Sequence, residues 1–415
     1  MKKICLLGAA LMASLASFAQ TDVIKDVERE LKKGQDADFS AAVNNIQPAL
    51  TDPSTANTMM PWYLAGKASF GLFDKAVLQE QLGNELSPDQ RRAAGKAFLD
   101  GYKYYRQAIK NDSLPDEKGK IKPKKAKEML NYLQGSHNYS RIAANLLMQA
   151  SDFDDAYDAL EIFVSQPKDA FYGKFAPAAL PDSIAGEMLF FQAHNMLASD
   201  QTAPDEAKVR KALNKLNDAM QAGYDTADLF RYGILASNRL GDNEMKARFA
   251  QAGYDKFGTS DITFIGELIN NKLDTEDYPA ALNYVNMAID ATTPENASIL
   301  SQLYGIQGII NQRSGNLAAA MDSYKNALKY NPENADVLGY YAQAILSDVD
   351  AKMMADDKLT NENFKDQILE AAQMLEKVYN IDDVKYAHYA DSLYRIYYNL
   401  GKDYIQQAKY WEALK

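Results

Sequence analysis

Small and apolar residues recur at helical spacing along almost the whole chain, and short polar turns interrupt them every fifteen to twenty residues or so. The clearest stretch is Ser301 to Asn334, where two runs with apolar and small residues at helical spacing flank Ser314-Gly315-Asn316. Two helices joined by so tight a turn form a hairpin. A hairpin of this size cannot bury its own apolar faces and needs neighbours on both sides. The same register returns in weaker form elsewhere. Tyr278, Ala281, Val285 and Ala288 repeat the second-helix spacing, as do Phe153, Ala156, Leu160 and Phe163. Phe39, Ala42, Ile46 and Ala49 do so near the start; Trp62, Ala65, Gly66 and Ser69 read as a first helix. The pattern predicts nine hairpins, at about 22–50, 59–110, 124–164, 182–222, 227–257, 261–291, 297–330, 335–379 and 386–414.

Tyr304, Gly308, Gly315, Ala320, Tyr324, Ala327 and Pro332 fall on a spaced pattern that resembles the tetratricopeptide repeat, a unit of about 34 residues. Each position has a physical reason. Gly308 and Ala320 are small where two helices cross, Gly315 suits a turn with positive φ, and Pro332 stops the second helix. Tyr324 and Ala327 face the next unit. The resemblance implies an all-α, right-handed superhelical α-solenoid of antiparallel hairpins that binds a protein or peptide on the concave face formed by its first helices. In that register Lys67, Arg141, Asn145, Arg231 and Arg395 point to the concave side, with Arg141 and Asn145 one helical turn apart. Members that clamp a C-terminal carboxylate use a Lys/Asn/Arg set. Gly305 and Ile309 stand at those positions of the strongest repeat, so that clamp is not reproduced.

Three departures read as insertions. After Gly71 the chain is expected to run irregularly to Ser87-Pro88-Asp89-Gln90, which carries a helix cap, a first-turn proline and a capping box. Ser165 to Pro181 reads as a surface loop, and 350–363 as a loop or a lengthened helix end. The expected organisation is residues 1–19 as an export signal, 20–164 as N-terminal repeats, 165–181 as a connecting loop and 182–415 as C-terminal repeats.

The first nineteen residues change the picture of where the chain works. Lys2 and Lys3 precede an apolar run from Ile4 to Leu15, and Ser17-Phe18-Ala19 ends in small residues that suit a signal peptidase. The run is shorter than the roughly 20 residues that span a bilayer, and no later segment is apolar enough. Cleavage after Ala19 removes Cys5, the only cysteine, and takes the formal net charge from −11 to −13. So acidic a surface repels nucleic acid and anionic lipid. The expected location is the periplasm, with outer-membrane association or secretion as alternatives, and any weak membrane association would run through a partner.

Candidate chemistry is sparse. His137, His194 and His388 stand far apart with no second metal ligand at suitable spacing, and no phosphate loop or nucleophile elbow is present. Asp154-Asp155, Asp356-Asp357 and Asp382-Asp383 read as solvated caps. Lys118, Lys120, Lys122, Lys124, Lys125 and Lys127 form the one basic run, either a solvated loop or a contact for an acidic partner or lipid headgroups. Among 26 tyrosines, Tyr386, Tyr389, Tyr394, Tyr397, Tyr398, Tyr404 and Tyr410 crowd the C-terminal region beside Trp411, at spacing that fits packing. Asp112-Ser113-Leu114, Asp182-Ser183-Ile184, Asp225-Thr226-Ala227 and Asp391-Ser392-Leu393 match a short O-glycosylation acceptor pattern. The functional expectation is a non-enzymatic envelope scaffold for a protein or peptide, without cofactor or metal. Its rivals are a glycan-binding component of an outer-membrane uptake system and an enzyme whose cleft is completed by insertions.

Overall fold

The computed structural model describes residues 21–115, 118–199 and 205–415. The expected export signal and Cys5 lie outside the described residues. Nearly every described residue belongs to a helix or a short turn between helices, and the one β-type pairing among them is an isolated bridge between Pro115 and Ile121. Contacts divide the chain into two compact units, the first ending at Gly241 and the second running from Asp242 to Lys415.

In the first unit, α1 (21–31) and α2 (Phe39–Thr51) precede the long pair α3 (Met59–Gln81) and α4 (Pro88–Asp112). A short α5 (Ala126–Gly135) follows, then the pair α6 (Tyr139–Gln149) and α7 (Phe153–Ser165). The pair α8 (Asp182–Ser199) and α9 (Glu206–Gln221) comes next, and α10 (Ala227–Leu240) packs on α9. The second unit opens with α11 (Asn243–Phe257), which packs on α12 (Ile262–Asp274). It continues through α13 (Tyr278–Ala291), α14 (Ala297–Arg313), α15 (Leu317–Tyr330), α16 (Ala335–Ala355), α17 (Lys365–Ile381), α18 (Tyr389–Asn399) and α19 (Ile405–Glu412). In both units most helices pack chiefly on the helices next to them in sequence, as expected of an α-solenoid, while α6 packs on α4 past the short α5.

The periodicity explains the packing. Ala156, Ala159, Leu160 and Phe163 of α7 recur at three and four residues and are all buried. The second-helix positions Ala281, Val285 and Ala288 of α13 are buried in the same way. Ser87 accepts from the backbone N–H of Gln90 at 3.3 Å and Gln90 Oε1 accepts from that of Ser87 at 2.8 Å, so α4 starts on the expected capping box. Gly241 ends α10 at φ +65°, a left-handed cap that glycine adopts without strain.

Three expectations meet a different structure. The chain does not become irregular after Gly71, because α3 continues helical to Gln81 with Phe73 fully buried. Gly71 is there for closeness, since the ring of Phe39 lies where its side chain would be. The third hairpin has a broken first helix: Ser136 to Asn138 separates α5 from α6. Residues 166–181 do run over the surface, as a segment of two 3-10 turns followed by irregular chain, and they are anchored. Their two 3-10 turns bury Gln166 and Tyr172, and Arg106 of α4 holds them with an ion pair to Asp169 at 2.6 Å and a bond to Tyr172 Oη at 3.1 Å. Helices α7 and α8 pack together across this insertion, and the division of the chain falls at Gly241, inside the expected fifth hairpin.

Candidate functional site

Met59, Tyr63, Lys67, Gly71, Asp74 and Leu78 recur at three or four residues, so they lie along one face of α3. From Tyr63 to Leu78 that face floors a cleft of about 660 Å³. One wall is the end of α1, the turn Gly34 to Asp36 and Phe39 of α2; the other is Glu128 and Tyr132 of α5, with Tyr105 of α4 behind.

The walls stand where they do for local reasons. The carboxylate of Asp112, the last residue of α4, is buried and accepts the backbone N–H groups of Lys124, Lys125 and Ala126 at 3.0, 2.7 and 2.7 Å. Three otherwise orphaned donors at the start of α5 are thereby satisfied, and α5 is fixed beside α3. Gly66 makes room for the ring of Tyr105, and Gly101 for that of Phe70. The rings interlock: Phe70 meets Tyr132 at 4.7 Å and Tyr105 at 5.1 Å between centroids.

Tyr63 Oη donates to Glu128 Oε1 at 2.6 Å, and Lys125 Nζ donates to Glu128 Oε2 at 2.6 Å while lying 5.2 Å above the Tyr63 ring. Those two donors hold the Glu128 carboxyl below its ordinary range against its partial burial. Burial, then the bond to Glu128, pushes Tyr63 up to about 12. Burial also raises Tyr105 and Tyr132, so at neutral pH all three phenols are neutral donors. Desolvation by the cleft walls raises Asp74, although Tyr132 Oη donates to it at 3.4 Å. Lys67 and Lys75 make no ion pair among the described residues, and Lys67 is close enough to help hold Glu128 low. The cleft therefore offers aromatic walls, phenol donors, ammonium groups and carboxylates, which suits amphipathic ligands.

Of the five basic and polar residues expected on the binding face, Lys67 lies in this cleft. Arg141 pairs with Glu187 at 3.7 Å and lies 5.6 Å over the Phe163 ring, with Asn145 exposed one turn along α6. Arg231 pairs with Asp228 at 3.0 Å within its own helix. Arg395 pairs with Asp391 at 2.8 Å and borders a cleft of about 170 Å³ in the second unit. Sequence reasoning did not find Tyr63, Asp74, Tyr105, Glu128 and Tyr132. The signal for two of them was the stripe they share with Lys67 on α3.

The other candidates are occupied locally. His137 Nε2 bonds to the Phe163 carbonyl at 2.8 Å with the rings stacked, His194 packs against Phe190 and Tyr232, and His388 lies on Tyr389. Among the described residues no His, Cys, Asp or Glu group is arranged to hold a metal ion, and no helix is long and apolar enough to cross a membrane. Asp154 pairs with Lys208, Asp155 with Lys96, and Asp382 accepts from two backbone N–H groups after α17. Tyr386, Tyr389, Tyr397 and Trp411 are buried, while Tyr398 and Tyr410 are exposed. Of the acceptor-pattern residues, Thr226 caps α10 by accepting from Leu229 N–H, and Ser392 lies inside α18.

In the strongest repeat, Gly308 lies against the Tyr324 ring, whose hydroxyl donates to Gln312 at 2.8 Å. Tyr324 also meets Tyr340 and Tyr341 of α16, ring to ring at 6.4 and 6.3 Å. Tyr304 stacks on Tyr330 at 5.8 Å, Ala320 and Ala327 are fully buried, Gly315 turns at φ +79°, and Pro332 lies just past the end of α15. The hairpins are tetratricopeptide-like. No family model and no curated protein matches the chain. Solved structures similar to it include the C-terminal part of a TPR repeat-containing protein from Cytophaga hutchinsonii, 15% identical, covering 67% of this chain and 93% of its own, at a TM-score of 0.44. YrrB, described as a TPR protein with an unusual peptide-binding site, is 12% identical over 51% of this chain and 95% of its own, at 0.37. The TPR domain of P58(IPK) is 13% identical over 95% and 98%, at 0.27. The tetratricopeptide-like character of the hairpins is carried by Gly308, Gly315, Ala320, Tyr324 and Ala327.

Proposed function

We propose that the chain is a non-enzymatic scaffold of the bacterial cell envelope that binds a protein or peptide partner in the cleft over α3. The observation that carries this reading is Lys67, an ammonium without an ion pair on the floor of an aromatic-walled cleft. A cation on the floor of an aromatic cleft gains most from a ligand that brings a carboxylate or carbonyl together with apolar surface. The envelope part of the proposal draws on the charged start, apolar run and small residues of positions 1–19. A glycan ligand is less well served, because Tyr63 and Tyr105, parallel with centroids 6.0 Å apart, are both buried and offer a sugar little open ring face.

A photoreactive phenylalanine analogue at Leu78, in cells that make the protein, tests the binding reading. A discrete protein adduct is expected from Leu78, lost when Tyr132→Ala is added and absent from the same probe at Leu235 of α10. Equal adducts from both positions would remove the cleft from the proposal. Periplasmic extraction followed by N-terminal sequencing is expected to give Gln20 first; a cytoplasmic chain that retains Met1 would refute the envelope part.

A further inference from the structure

The face of α3 that floors the cleft does not end at Tyr63. One turn earlier, Met59 and Met60 border a second cleft of about 480 Å³, ringed by Lys120, Lys122 and Lys124 and flanked by Leu114. The lysines belong to the loop between α4 and α5, whose end is pinned by the bonds from Lys124 and Lys125 N–H to Asp112. Residues 113–127 carry six lysines against two acids in a chain with a net charge of −11, so this loop reverses the prevailing sign. Leu114 and Ile121 are 56% and 60% exposed beside them. From Leu78 in the first cleft to Met59 in the second is nineteen residues of helix, about 28 Å, with Tyr63, Lys125 and Glu128 between. An extended chain covers that length in about eight or nine residues.

Resting on the peptide-binding reading above, we infer that the bound segment is acidic at the end that lies on Lys120, Lys122 and Lys124 and apolar in the part that lies between Tyr132 and Phe39. Charge complementarity selects the acidic end, and the aromatic walls select the apolar part. A concave cleft floored by methionines favours a chain that can enter it over a flat bilayer. Peptide polarity is thus set by the loop, and register by the cleft.

Fluorescence anisotropy with the full mature chain tests this. The probes are fluorescein-labelled peptide pools about nine residues long, randomised except for an Asp-Glu-Asp or a Lys-Lys-Lys triplet fixed at one or the other end. One acidic pool is expected to bind about tenfold tighter than its lysine counterpart, a difference of roughly 1.4 kcal/mol, and the preference should shrink as salt is raised. The triple change Lys120→Glu, Lys122→Glu, Lys124→Glu should erase or invert the preference, and Tyr132→Ala should weaken the acidic pool as well. Acidic and lysine pools that bind equally, yet are both lost in Tyr132→Ala, would overturn the inference and leave the peptide-binding reading standing. Pools that never bind, or bind regardless of Tyr132, would remove both. Binding to phosphatidylserine vesicles that depends on the three lysines, without any preference among pools, would overturn it in favour of a lipid surface.

Discussion

Gly308 faces the ring of Tyr324 so closely that a methyl group there would occupy the same space. Tyr324 cannot retreat, because it also packs against Tyr340 and Tyr341 of the next hairpin. Gly308→Ala is therefore expected to destabilise the second unit by about 1–3 kcal/mol, the usual cost of overpacking a filled core, read as a lower urea midpoint with unchanged slope. His137 makes a different kind of prediction. Burial lowers its pKa below the ordinary 6.5, with the bond to the Phe163 carbonyl opposing. The folded state then binds the proton less readily than the unfolded state, so stability is full above about pH 6.5 and declines as pH falls below it. Urea midpoints at about pH 7.5 and 5.5 should show this loss, and His137→Gln, which can still donate to Phe163 but does not titrate, should reduce it. An unchanged acid slope in the variant would show that other groups carry it.

The start of helix α5 is capped by one carboxylate. Asp112→Ala leaves three N–H groups at the start of α5 without their acceptor, at a cost of about 1–2 kcal/mol for a lost cap. Hydrogen exchange is expected to rise in α5 and the loop before it while α6 and α7 keep their protection; exchange unchanged in α5 would mean that packing alone seats the helix. Much of this level of structure was legible in the chain. Where a hairpin states its own turn and crossing residues, as at Gly308 to Pro332, the reading reached individual contacts. At Gly71 the expected end of a helix is absent, because a glycine that admits the Phe39 ring looks in sequence like a glycine that breaks a helix. The break between α5 and α6 at Ser136-His137-Asn138, just after Gly135, is a turn signal that the expected third hairpin runs across. Most of the cleft could not be read, since Phe39, Tyr63, Tyr105 and Tyr132 come together only through packing between successive helix pairs.

A chain of hairpins whose helices pack mainly on their sequence neighbours stores its stability as nearest-neighbour terms, so damage should stay near where it is made. The two tryptophans allow this to be measured, because Trp62 belongs to α3 of the first unit and Trp411 to α19 of the second. Each is anchored: Trp62 Nε1 donates to the Ala56 carbonyl at 2.6 Å and Trp411 Nε1 to Glu376 at 3.4 Å. In a Trp62→Phe background, fluorescence follows the second unit alone; in a Trp411→Phe background it follows the first. Gly308→Ala, which acts in α14, five helices before α19, is expected to lower the urea midpoint seen by Trp411 and leave the one seen by Trp62 within error. If both midpoints fell together by the same amount, the chain would unfold as one cooperative block, and the division at Gly241 would describe contact density without energetic independence.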